Sequence, residues 1–71
     1  MNIETWFKRI RMVMRLSRHD VVEIVRLGGI EISSSRADGW LRPLGDDRVA
    51  RITDREFDAF TSGLVEWSKK R

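Results

Sequence analysis

The chain contains no cysteine, one proline and one histidine in its 71 residues. Without cysteine, neither a disulfide nor a cysteine-bound zinc ion can brace so small a protein. With His19 as its single imidazole, it has little of the general-base equipment that nucleophilic catalysis requires. No apolar run approaches the roughly 20 residues that span a bilayer, and the N-terminus lacks a signal-peptide pattern. The expectation is a soluble, cytoplasmic protein with no membrane partner. A chain this short forms one domain and buries only about 60% of its unfolded surface. Its three tryptophans and three phenylalanines must therefore carry much of the core.

What the chain does have is positive charge, unevenly placed. The formal net charge is +3 and the isoelectric point is about 10.2. Residues 1–19 hold five bases against Glu4, residues 20–66 hold six bases against ten acids, and Lys69-Lys70-Arg71 closes the chain. Between Lys8 and Arg18 stand five cations (Lys8, Arg9, Arg11, Arg15, Arg18) and no anion. At 100° per residue, Lys8, Arg11, Arg15 and Arg18 share one side of a helix, whereas Ile3, Trp6, Phe7, Ile10, Val13 and Met14 crowd another. Such a helix docks into a core and offers a basic stripe to an acidic partner. The plainer alternative is a solvated face plus a frayed tail.

The local signals describe four short helices and an all-α bundle, a single domain over 1–68 followed by a basic tail at 69–71. A first helix spans about residues 3–15, with Asn2 as N-cap and Glu4 at the positive end of the helix dipole. Ser17 followed by Asp20 forms a short capping box for a second helix, about 18–27, which Gly28-Gly29 stops through the left-handed conformation. Ile30-Glu31-Ile32 is an extended connection whose isoleucines plug the core. Ser33 or Ser34 caps a third helix, about 35–42, with Ala37, Trp40 and Leu41 facing inward, and Pro43 ends it. Leu44 to Ile52 reads as a surface loop turning at Gly45-Asp46-Asp47. Thr53 and Glu56 make a full capping box for the last helix, which runs to about residue 68 with Phe57, Phe60, Leu64 and Trp67 on its inner face. Gly63 inside that helix costs about 1 kcal/mol relative to alanine, which a close helix crossing would offset.

Catalysis finds no support in these residues. Ser33, Ser34 and Ser35 are explained by capping, His19 by a surface position, and Asp46-Asp47 by a polar turn lacking calcium-ligand spacing. No cofactor, metal or small-molecule substrate is expected. The second and third helices outline a helix-turn-helix DNA reader, with Ser34, Ser35, Arg36 and Arg42 placed to meet phosphates or base edges. Against that stand the long connection from Gly28 to Ser33, the acids Glu31 and Asp38, and Gly39 within the probe helix. The densest positive charge also lies on the first helix rather than the third. Of the six aromatics, Trp67 is the one expected to stand partly exposed, as an anchor beside the basic tail.

The run Leu16-Ser17-Arg18-His19-Asp20-Val21-Val22-Glu23-Ile24-Val25-Arg26-Leu27-Gly28-Gly29-Ile30-Glu31-Ile32-Ser33 resembles the YehS-like bacterial domain. So does the later Phe57-Asp58-Ala59-Phe60-Thr61-Ser62-Gly63-Leu64-Val65. The resemblance covers most of residues 2–66 and implies one all-helical unit. The family commonly carries two such units, whereas this chain has one, and a frequent cysteine near Ile52-Thr53 is missing. The resemblance implies no activity. In size and charge the chain is also similar to the small RNA polymerase-binding transcription regulators of lytic phages of Xanthomonas, which inhibit initiation at host promoters and promote antitermination.

The resulting expectation is a non-enzymatic transcription regulator that binds an acidic surface on a large subunit of bacterial RNA polymerase, in the host cytoplasm if phage-encoded. Lys8, Arg9, Arg11, Arg15 and Arg18 would make the main contact, with Trp67, Lys69, Lys70 and Arg71 adding a second. The alternative is a DNA-binding repressor using Ser34, Ser35, Arg36 and Arg42.

Overall fold

A computed structural model describes residues 2–43, 45–47 and 49–69. Four helices follow one another, α1 (Ile3–Met14), α2 (Arg18–Leu27), α3 (Ser34–Leu41) and α4 (Asp54–Lys69), and the described residues contain no strand. The fold is an all-α bundle. Its radius of gyration of 11.2 Å is near the value of about 11 Å expected for a globule of this length.

Each helix begins where a side chain can take up an orphan backbone N–H. Asn2 accepts from Thr5 N at 2.9 Å. Ser17 and Asp20 exchange bonds reciprocally, at 3.1 and 3.0 Å. Ser33, rather than Ser34, accepts from Arg36 N at 3.1 Å, so α3 begins one residue earlier than the sequence suggests. Thr53 and Glu56 complete their box at 3.1 and 2.9 Å.

The ends differ more from expectation. Helix α1 stops at Met14, because Arg15 adopts a left-handed conformation with φ 55°. Leu16 N then donates to Arg11 O at 3.1 Å and Arg15 N to Met12 O at 3.3 Å, which is the Schellman pattern. Leu16 is buried beyond that turn, as the hydrophobic closure of the motif requires. At the end of α2 the left-handed residue is Gly29 (φ 100°), while Gly28 keeps a helical φ of −80°.

Gly28 serves a different purpose. A Cβ placed on it would lie 1.8 Å from the Ala59 carbonyl oxygen of α4. A Cβ on Gly63 would lie 1.8 Å from the Ile24 carbonyl oxygen of α2. The two glycines thus let α2 and α4 meet backbone to backbone, the close crossing that Gly63 foretold. Val21, Ile24 and Val25 of α2 are sealed completely, together with Phe60 of α4.

An aromatic cluster joins the other helices to this pair. Phe7 of α1 lies edge-on to Trp40 of α3, with ring centres 5.6 Å apart, and 4.9 Å from Phe60 of α4. Phe57 stacks on Phe60 at 6.3 Å. Ile30 and Ile32 pack against the core, as their extended connection predicts. The segment before α4 is not wholly a surface loop: Ile52 is buried, and Ala50 N donates to Gly39 O at 3.0 Å. Leu44 and Arg48 lie outside the described residues.

Candidate interaction surface

The first helix contributes buried anchors and an exposed face, and its cations divide between the two. Lys8 reaches the end of α3, where its ammonium donates to the carbonyl oxygens of Trp40 at 2.8 Å and Arg42 at 2.6 Å. A cation there satisfies orphan carbonyls and complements the negative end of the helix dipole. Its pKa is lowered from the ordinary lysine value, chiefly by burial and further by the charge of Arg11, against a smaller opposing pull from Glu4. Arg11 Nε donates to Leu16 O at 2.9 Å and so braces the Schellman turn. Arg18 lies 3.8 Å from Asp38. The expectation of five cations free in water is therefore corrected for Lys8 and Arg11, which the fold uses itself, whereas Arg18 stays exposed. Among the described residues, Arg9 and Arg15 have no hydrogen-bond or ion-pair partner for their side chains, and both are exposed.

Glu4 also has an internal role. Its side chain accepts from Ile52 N at 3.0 Å, 48 residues away, in a residue that is only 8% exposed.

The apolar residues of α1 do not all face inward. Phe7 is fully buried, and Ile3, Ile10 and Met14 pack against the core. Trp6 is 50% exposed, Met12 72% and Val13 81%. This corrects the assignment of Trp6 and Val13 to the core side. Trp6, Arg9, Ile10, Val13 and Met14 line a shallow groove of about 370 Å³, almost entirely apolar in its surface. The signal was present in the spacing. Ile3, Phe7, Ile10 and Met14 cluster on the helical wheel, while Trp6 and Val13 fall about 70–90° to one side, with Arg9 beyond them. A helix of this length buries one stripe, and the sequence supplies two.

The DNA-reading residues gather less well. Ser34, Ser35 and Arg42 rim a polar depression of about 470 Å³ with Arg18, Asp38 and Gly39. Arg36 is not part of it. Its guanidinium forms a two-pronged bond with the Glu56 carboxylate, with Nη2 to Oε1 at 2.7 Å, and also donates to Arg51 O at 3.2 Å. That guanidinium holds the Glu56 carboxyl down from 4.5 to about 2. Within the depression, Asp38 neutralises Arg42 at 3.1 Å as well as facing Arg18.

In the last turns of α4, Trp67 is partly exposed, packing against the core with its indole N–H buried. Lys69 belongs to the last turn of α4 and pairs with Glu66 at 3.6 Å, so the helix extends into the expected tail. Lys70 and Arg71 lie outside the described residues. His19 is exposed in the first turn of α2. The described residues hold no group of three or more potential metal ligands, and no described helix is long and apolar enough to cross a membrane.

A family profile described as "protein of unknown function (DUF1456)" matches residues 5–70, nearly the whole chain. The chain belongs to the DUF1456 family. The chain is also 26% identical, over 58 residues, to the uncharacterized protein YehS of Escherichia coli (strain K12). That match covers 82% of this chain and 37% of YehS, so the chain spans well under half of that relative's length. No solved structure matches the chain. The YehS-like resemblance read from the Leu27-Gly28-Gly29-Ile30-Glu31-Ile32-Ser33 region is thus the family relationship itself.

Proposed function

We propose that this DUF1456 chain is a non-enzymatic protein-binding module whose docking face is the outer side of α1, and that it regulates transcription by binding bacterial RNA polymerase. The observation that carries the reading is the groove of Trp6, Arg9, Ile10, Val13 and Met14. Exposed tryptophan and arginine together are the residue types most enriched at binding hot spots. Arg9, inside the groove, and Arg15, one residue past the helix, add unpaired charge that steers an acidic surface into encounter. Arg15 supports the reading in a second way. It occupies a left-handed position that glycine would fill more cheaply, by about 1 kcal/mol. An arginine kept there at a conformational cost fits a side chain used outside the fold. The acidic surface of a large polymerase subunit meets these requirements, and inhibition of initiation or antitermination would follow from occupying it.

The test is affinity capture from a nuclease-treated bacterial lysate with the tagged protein as bait. Polymerase subunits are recovered by the wild type and lost with Arg9→Glu/Arg15→Glu, in a bait that melts normally. Recovery of no polymerase subunit removes this reading.

A second reading, a DNA-binding repressor, is favoured by the depression that Ser34, Ser35, Arg18 and Arg42 share along α3. It requires Arg42 to exchange Asp38 for a phosphate. A gel-shift titration at graded salt decides it: a bound duplex that Arg42→Ala releases, with Arg9→Glu silent, selects DNA over polymerase.

A further inference from the structure

We infer that the groove on α1 takes an acidic amphipathic helix of a partner protein, laid across the rows Trp6–Ile10–Met14 and Arg9–Val13. The inference rests on the protein-binding reading above and names the chemistry of the occupant. Residues 6, 10 and 14 form one row at i±4 spacing, and residues 9 and 13 form the next. The channel between two such rows is the feature into which a ridge of another helix packs. Every described residue lining the groove belongs to α1, so its walls are helical ridges.

Charge selects the partner's polar face. Arg9 lines the groove, and Glu4, the only acid of α1, is turned inward to Ile52 N. An approaching helix therefore meets apolar surface bordered by the Arg9 cation, with no competing carboxylate from α1. Leucine-type anchors in the channel and flanking glutamates or aspartates on Arg9 satisfy both requirements.

The same observations disfavour two other occupants. A second copy would bring its own net charge of +4 over residues 1–19 against an identical charge. The strip from Trp6 to Met14 is also only about 12 Å long, too short to supply the roughly 800 Å² per partner of a stable dimer. An anionic bilayer matches the charge but is flat on this scale, and it has no ridge to enter a channel.

The probe is a fluorescein-labelled synthetic peptide of about five helical turns, with leucine at i, i+3, i+4 and i+7 and glutamate on the remaining face. Its anisotropy is titrated with the whole protein. Val13→Glu and Arg9→Glu each weaken binding by about tenfold or more, whereas Arg55→Glu, the same charge change on exposed α4, alters it by less than about twofold. A lysine-for-glutamate peptide does not bind. Equal loss from Arg55→Glu and Arg9→Glu, or equal binding of the lysine peptide, overturns the inference. So does wild-type dimerisation in sedimentation that Val13→Glu abolishes, or capture by phosphatidylglycerol vesicles in place of the peptide. Polymerase capture that survives Val13→Glu would sink this inference and leave the polymerase reading standing. Peptide binding without polymerase capture would do the reverse.

Discussion

Arg36 shows how one side chain can be assigned to the wrong task by its position in sequence. It sits where a recognition helix would present a cation, yet its guanidinium is committed to Glu56 on the neighbouring helix and stacks 5.7 Å from the Trp40 ring centre. The pairing links α3 to α4, so Arg36→Ala should lower stability by about 1–2 kcal/mol, measured by urea unfolding. It also sets a pH dependence. The Glu56 carboxyl is depressed, so the stability it contributes is complete above its ordinary value of 4.5 and is lost as pH falls towards about 2. Glu56→Gln should therefore be less stable than wild type at pH 7 and lose less further stability between pH 4.5 and 2. Acid titration of the melting temperature reads this directly. Arg15 makes the opposite prediction. Its left-handed φ of 55° means that Arg15→Gly should stabilise the fold by about 1 kcal/mol while weakening partner binding. A substitution that improves folding and harms function separates the two roles in one measurement.

At the scale of the helix, the legible part of the sequence was local chemistry. Asn2, Ser17 with Asp20, and Thr53 with Glu56 each announce a helix start because capping needs only a few neighbouring residues. Gly63 was legible for a related reason: a glycine in a helix interior costs stability unless a neighbour requires the space. Gly28-Gly29 does end α2, but the second role of Gly28 was not legible, because a glycine at a helix end is already explained by the turn and only the opposing Ala59 carbonyl reveals the close approach. The crossing yields a test whose sign is unusual. Helix propensity alone says Gly63→Ala should stabilise by about 1 kcal/mol. Contact with a backbone carbonyl that cannot rotate away says that Gly63→Ala and Gly28→Ala should each cost at least about 2 kcal/mol, or about 8 °C or more in melting temperature. The basic stripe of α1 was misread for a further reason. Which of Lys8, Arg11 and Arg18 would find a carbonyl or carboxylate depended on where α3 and Leu16 came to lie, and pattern along one helix does not carry that information.

For the molecule as a whole, α2 and α4 form a continuous pair, and α1 is attached by a few separate ties: Phe7 in the aromatic cluster, Lys8 on the end of α3, and Glu4 on Ile52. Amides of α1 should exchange with deuterium faster than those of α2 and α4, through partial openings that leave the pair intact, as mass spectrometry of exchanged peptides would resolve. The exposed groove adds a whole-molecule contrast. Val13→Glu should leave the melting temperature within about 2 °C of wild type, because an 81%-exposed side chain contributes little burial. Phe7→Ala, nearby but sealed, should cost about 3–5 kcal/mol and unfold much of the population.

The bond between Glu4 and Ile52 carries an implication for synthesis on the ribosome. Residue 4 emerges before its donor, and its acceptor role, with the place of Phe7 beside Phe60, cannot be filled until about 50 further residues have been added. At ordinary elongation rates that interval is roughly 3 to 10 s. Throughout it, the first helix has no home for its aromatic face, so a nascent-chain chaperone that favours basic, aromatic segments would find a target in α1.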